Sequence, residues 1–128
     1  MIEITHTPII PEAITNQVNR DKCGCVVSFT GIVRNTSASG KKVISFENDA
    51  SAEELARQEL QRIEDEVRTK WQLQDTAMCH RMGKLEVGEY TFVVAISAPH
   101  RIEAFEACQY IIDRFKQVVK AWEKEITE

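Results

Sequence analysis

Apolar side chains recur along this chain with two different periods. Ala52, Leu55, Ala56, Leu60, Ile63, Val67 and Trp71 fall three and four residues apart, the spacing of one helix face, and Ser51-Ala-Glu-Glu54 ahead of them has the form of a capping box. A second long helix is predicted after Pro99, with Ile102, Phe105, Cys108, Ile112, Phe115 and Val119 as its apolar face. A short helix opens at Pro11-Glu12-Ala13, runs through Ile14 and Val18, and ends near Asp21. Between these segments the period changes to that of strands. Residues 25–33, Cys-Val-Val-Ser-Phe-Thr-Gly-Ile-Val, are rich in β-branched side chains, and Gly31 among them predicts a bulge or a close backbone approach. Residues 43–47, 76–82 and 90–97 read as further strands, 3–7 alternates weakly, and 34–42 and 83–88 read as a polar loop and a turn. Helices inserted among strands without strict β-α-β alternation predict an α+β fold, with a mixed, largely antiparallel sheet packed against two long helices and one short one.

Length and charge narrow the picture. With 128 residues, 43% of them apolar, the chain can bury one core, so residues 1–128 are expected to form a single domain. Its longest apolar runs, 91–98 and 110–112, are far shorter than the roughly 20 residues of a membrane span, and the start lacks the pattern of a secretory signal. A cytoplasmic location away from membranes is the expectation. The net charge of −4 argues against indiscriminate capture of nucleic acid, so an anionic ligand needs a local cationic pocket. Cys23, Cys25, Cys79 and Cys108 read as free thiols. They lack a second Cys/His pair at ligand spacing, and neither a metal nor a cofactor is expected.

Few residues offer chemistry. His100-Arg101 stands at a predicted helix start, where unpaired amide donors and partial positive charge favour phosphate; a helix-start histidine with a solvated arginine is the plain alternative. Arg34 ends the 25–33 strand and faces a loop closed by Lys41-Lys42. Lys116, Lys120 and Lys124 recur every fourth residue, which on a continuing helix gives either a solvated stripe or, if enclosed, a lysine whose pKa is lowered toward acid-base use. Cys79 next to His80, and Cys108 on the apolar stripe, read as core cysteines, because adjacent strand residues point to opposite faces.

Several separated motifs converge on one family. Phe29-Thr-Gly-Ile-Val-Arg34, His80-Arg-Met-Gly83, Val87-Gly-Glu89, Ser97-Ala-Pro-His-Arg101, Ala104-Phe-Glu-Ala107 and Ile111-Ile-Asp-Arg-Phe-Lys116, followed by Trp122, resemble the large, catalytic subunit of molybdopterin synthase in order from about Cys25 to Glu125. The resemblance implies a hammerhead-like α+β fold and a homodimer within a heterotetramer, with a small ubiquitin-like sulfur-carrier subunit at each outer end. It implies a sulfurtransferase activity in which the carrier's Gly-Gly tail, ending in a thiocarboxylate, converts cyclic pyranopterin monophosphate into molybdopterin. Lys116 matches the family's essential helix lysine, and Arg34, His100 and Arg101 match residues that hold the anionic pterin. Ile32, Val33, Glu123, Lys124 and Glu125 fall at neighbouring site positions, with Lys124 a partial catalytic substitute for a missing lysine.

Three departures bear on activity. The family's Pro-Ile-Trp-Lys-Lys-Glu segment is here Lys120-Ala-Trp-Glu-Lys-Glu125, so Glu123 reverses the charge of a second functional lysine. The aromatic, acidic stretch after the second strand is Phe46-Glu-Asn-Asp-Ala-Ser51, and a Gly- and Trp-containing tail does not follow Glu128. Together they predict weakened substrate binding or turnover, and leave two other readings: a non-catalytic paralogue that keeps carrier binding, and a general phosphate- or pterin-binding module. Loss of the family's proline predicts a helix that continues toward Lys124; an extended chain after Val119 instead sends Glu123 and Lys124 to opposite sides.

Overall fold

A computed structural model covers Met1–Glu128. Its elements are β1 (Ile2–Thr5), α1 (Pro11–Val18), β2 (Cys25–Ile32), β3 (Val43–Asn48), α2 (Glu53–Lys70), β4 (Asp75–Arg81), β5 (Gly83–Leu85), β6 (Tyr90–Ala98), α3 (Arg101–Val118) and β7 (Glu123–Thr127). The α+β class holds, with two 18-residue helices and one of eight. The strands form two sheets, a four-stranded one of order β1-β4-β6-β2 and a three-stranded one of order β5-β3-β7. Only the β1–β4 pair is parallel.

The larger sheet is covered on both faces, which is why β4 and β6 read as nearly continuous apolar runs. On one face α2 and α3 bury Leu60, Ile63, Val67 and Ile111 against Met78, Phe92, Val94 and Ile96. On the other, Ile14 and Val18 of α1 pack on Ala77, Cys79, Val93 and Ala95. Each fully buried aliphatic or aromatic side chain here contributes about 1.5–3 kcal/mol, so these two layers hold the fold.

The structure corrects the sequence reading in four places. The Ser51–Glu54 capping box does not form; instead the Asp49 carboxylate accepts from the Ser51 N–H at 2.9 Å and its hydroxyl at 2.8 Å, capping a 3₁₀ turn (Ala50–Ala52) that leads into α2. The short helix stops at Val18, because Asn19 is already extended. Residues 83–85, read as turn, pair with β3 as β5; Gly83 at φ +91° lets the chain pass from the first sheet to the second with only Met82 between β4 and β5.

The fourth correction concerns α3. It does not continue toward Lys124, since a 3₁₀ turn (Val119–Ala121) closes it and β7 then pairs antiparallel with β3. The β-branched pair Val118-Val119 is weakly helical, and the Trp122 carbonyl accepts from the Asp49 N–H at 3.0 Å, which starts the pairing. Its buried face also differs from the predicted one. Ala104, Ala107, Cys108, Ile111 and Phe115 are inside, whereas Ile102 and Phe105 are 64% and 60% exposed. Ala104 and Ala107 take sheet-facing positions, and the larger pair points outward.

Candidate active site

Where the two sheets and the end of α3 meet, an aromatic floor forms first. Phe92 and Phe115 stack with centroids 3.9 Å apart, and His80 meets Phe115 edge-on at 5.0 Å. His80 is fully buried yet both ring nitrogens are engaged. The Trp122 indole N–H donates to His80 Nε2 at 2.9 Å, and His80 Nδ1 lies 2.8 Å from the Thr91 carbonyl. An indole N–H only donates, so Nε2 must accept and Nδ1 carries the proton. Burial pushes the imidazole down to about 4, against the smaller upward pull of the Thr91 bond. A neutral His80 therefore ties β4, β6 and the chain entering β7 into one unit.

Thr91 is free for this role because of a bulge beside Gly31. Gly31 faces Phe92 and Ile32 faces Tyr90, which leaves Thr91 as the extra residue of β6. The bulge also ends strict alternation on β2, so successive residues from Phe29 to Arg34 all line one cavity of about 580 Å³. Phe46 of β3, Ile112 and Lys116 of α3, and Lys120 of the 3₁₀ turn complete the walls with Glu123 and Glu125 of β7. Alternation on β7 explains that last pair: positions 123 and 125 share a face and Lys124 takes the other. Lys124 thus stands outside the cavity, contrary to its expected part in the site.

The charges of this cavity are uncommitted. Arg34, Lys116 and Lys120 line it with Glu123 and Glu125, and none of the five takes part in any of the chain's ion pairs. Three cations against two carboxylates over an apolar floor suit a ligand that is both anionic and flat. The Glu123 carboxyl is raised above the ordinary value by the surrounding walls and by Glu125, with Lys116 and Lys120 pulling the other way.

His100 and Arg101 lie elsewhere in the same chain. They line a second cavity, of about 440 Å³, with Gly24, Cys25, Pro99, Ile102 and Glu103 at the opposite end of β2. A Cβ on Gly24 would sit 2.3 Å from the Pro99 carbonyl oxygen, so only glycine lets the chain pass here. His100 is the extended N-cap of α3 and makes no side-chain cap bond, which leaves the first-turn amides of α3 open to a ligand. Of the expected site residues, the structure therefore gathers Ile32, Val33, Arg34, Lys116, Glu123 and Glu125, and keeps His100 and Arg101 apart. Lys120 and the four phenylalanines Phe29, Phe46, Phe92 and Phe115 were not expected in the site; the four-residue step from Lys116 was the one visible sign of Lys120. Burial pushes the Cys79 thiol up to about 12 and the Cys108 thiol to about 11, which makes both inert core residues as expected.

The chain is similar to known proteins in sequence and in fold. The model of the MoaE protein family matches residues 4–118. The molybdopterin synthase catalytic subunit of Bacillus subtilis is 42% identical over 126 residues, 98% of this chain and 79% of its own. That of Thermoplasma volcanium is 39% identical over 127 residues, 99% and 91% of the two chains. Among solved structures, the crystal structure of molybdopterin synthase from Staphylococcus aureus superposes with a TM-score of 0.85 at 35% identity, covering 98% of this chain and 90% of that one.

Proposed function

The chain belongs to the MoaE protein family, and on that premise we propose that it is the catalytic subunit of a molybdopterin synthase, a transferase of molybdenum cofactor biosynthesis. In this reading it passes sulfur from the thiocarboxylated Gly-Gly terminus of a small ubiquitin-like carrier to cyclic pyranopterin monophosphate, making the dithiolene. The observation that carries the proposal is the cavity with three unpaired cations over stacked phenylalanines. A thiocarboxylate brings its own nucleophilic sulfur, so the site needs no cysteine, and the cavity contains none. What remains for the protein is positioning and charge stabilisation. Arg34 and Lys120 hold the anionic substrate while the phenylalanines face its ring, and Lys116 orients the thiocarboxylate or protonates a leaving oxygen.

Two copies complete the site. β2 is an edge strand, and the outward stripe of α3, Ile102, Phe105, Gln109, Ile112 and Lys116, runs from the His100–Arg101 cavity to the Lys116 cavity. A twofold copy laid antiparallel along β2 and α3 covers Ile102 and Phe105 and carries its own His100 and Arg101 toward this chain's Lys116. The working assembly is then a homodimer with a carrier at each outer end, and light scattering of the chain alone is expected to give twice 14.6 kDa.

The direct test mixes the protein with thiocarboxylated carrier and cyclic pyranopterin monophosphate and follows dithiolene product by mass spectrometry. Product that requires the carrier's Gly-Gly supports the proposal, and equal product without that dipeptide contradicts it. Glu123, a carboxylate in an anion cavity, favours a second reading, a paralogue that binds the carrier without turnover. Carrier binding with no dithiolene is the result that selects it.

A further inference from the structure

A carboxylate that faces an anion repels it, so the presence of Glu123 among Arg34, Lys116 and Lys120 asks for a separate role. The groups facing it are Lys116 from α3, Lys120 from the 3₁₀ turn, Arg34 from the exit of β2 and Glu125 on its own strand. Across the β7–β3 ladder its partner is the uncharged Asn48, while Glu47 pairs with Lys124 on the other side. Glu123 is held by no hydrogen bond or ion pair, lines the cavity and keeps part of its side chain in solvent, so it reaches water and ligand together.

Sulfur transfer from a carboxyl carbon offers such a group a task. Once the carrier's sulfur has bonded to a substrate carbon, it is the sulfur of a thioester, and the carrier leaves only if water attacks the acyl carbon. Resting on the reading of this cavity as a thiocarboxylate site, we propose that Glu123 is the general base that takes the proton from that water. The water oxygen bonds to the acyl carbon, the carbon–sulfur bond breaks, and its electron pair stays on sulfur as a thiolate. Thioester and water thus give carboxylate, thiolate and two protons: one passes to Glu123 and on to solvent, the other leaves the new carboxyl directly.

The alternatives within reach are few. Arg34, Lys116 and Lys120 serve as the cations that hold the anion, and His80 has both nitrogens engaged beneath the floor. Glu125 lies farther along β7, opposite Phe46, whereas Glu123 is the carboxylate coupled to both Lys116 and Lys120, the cations that stabilise the departing thiolate. A carboxylate whose proton affinity is raised by its surroundings is also the stronger base.

Single-turnover mixing of the full chain with thiocarboxylated carrier and cyclic pyranopterin monophosphate, followed by intact-mass spectrometry, tests the assignment. In the wild-type protein the covalent carrier–pterin adduct forms and decays, and its decay slows as pH falls and Glu123 takes a proton. In Glu123→Gln the adduct forms at a similar rate but persists roughly 100-fold longer, the low end for loss of a general base, and its decay loses that pH dependence. Glu123→Asp restores part of the decay rate. An adduct lifetime unchanged in Glu123→Gln, or an equal slowing of adduct formation, overturns the assignment and leaves the function standing. Neither adduct nor dithiolene from the wild-type protein overturns the function itself.

Discussion

The two ends of β2 carry cations in opposite settings. At the Ile32 end, Arg34, Lys116 and Lys120 stand over an aromatic floor pinned by the neutral His80 and by Trp122, so both charge and shape are fixed. At the Cys25 end, His100 and Arg101 sit at a helix start with Pro99 and Gly24 beside them and no aromatic wall. The first end has a surface for a flat ring; the second has His100 and Arg101 as donors for an anion, beside the Glu103 carboxylate. In the proposed homodimer these ends are two unequal halves of a site, one that shapes the reaction and one that lends charge to a neighbour.

The largest effect is expected at Lys116. Lys116→Ala removes a cation from the shaped half, and turnover is expected to fall about 10²- to 10³-fold, the usual loss for one preorganised electrostatic group. Folding should be unchanged, because the side chain is exposed. Steady-state dithiolene formation, beside a circular dichroism melt, checks both statements.

Acid tests the floor beneath that half. In the unfolded chain the imidazole of His80 takes a proton near 6.5, whereas in the folded chain it stays neutral down to about 4. Between these values only the unfolded chain binds the proton, so the stability linked to His80 is fully present above 6.5 and declines as pH falls toward 4. The loss amounts to about 3 kcal/mol at the lower limit. Urea midpoints of the wild-type protein and His80→Gln, compared between pH 7 and pH 4.5, isolate this share from that of the carboxylates. The wild-type midpoint should fall more steeply.

The open half should respond differently. Arg101→Ala is expected to weaken substrate binding about 10- to 100-fold, the cost of one charge-assisted hydrogen bond or two, with little change in melting temperature. Titration calorimetry with the substrate reads it, and unchanged affinity in a folded variant removes Arg101 from the site. Lys124→Ala gives the smallest effect. Its side chain leaves β7 away from the cavity, so turnover should match the wild type within error, and a marked loss would show that β7 presents its other face.

Much of the shaped half was legible in the sequence, and little of what builds it was. The helix of Leu60 and Ile63 and the β-branched run at Cys25 announce themselves by period, and Gly31 marked the bulge that frees Thr91. Arg34 and Lys116 were visible as charges at the ends of such elements. β7 was not, because Glu123-Lys-Glu-Ile-Thr127 has no apolar alternation, and it becomes a strand only by pairing with β3. That pairing decides that Glu123 and Glu125 enter the cavity and Lys124 does not. Ile102 and Phe105 were misplaced for a related reason: an apolar stripe on a helix looks the same whether it faces the core or, as here, solvent.

Mixing two defective proteins tests the proposed composite site. Lys116→Ala and Arg101→Ala damage different halves, so in a mixed dimer one of the two sites takes both damaged halves and the other takes both intact ones. After equal amounts are combined and subunit exchange is verified by native mass spectrometry, dithiolene formation with carrier and substrate should rise to about a quarter of the wild-type rate, because half of the dimers are mixed and each has one intact site of two. A mixture that stays at the average of the two separate variants would contradict the account and place both residues in a site made by a single chain.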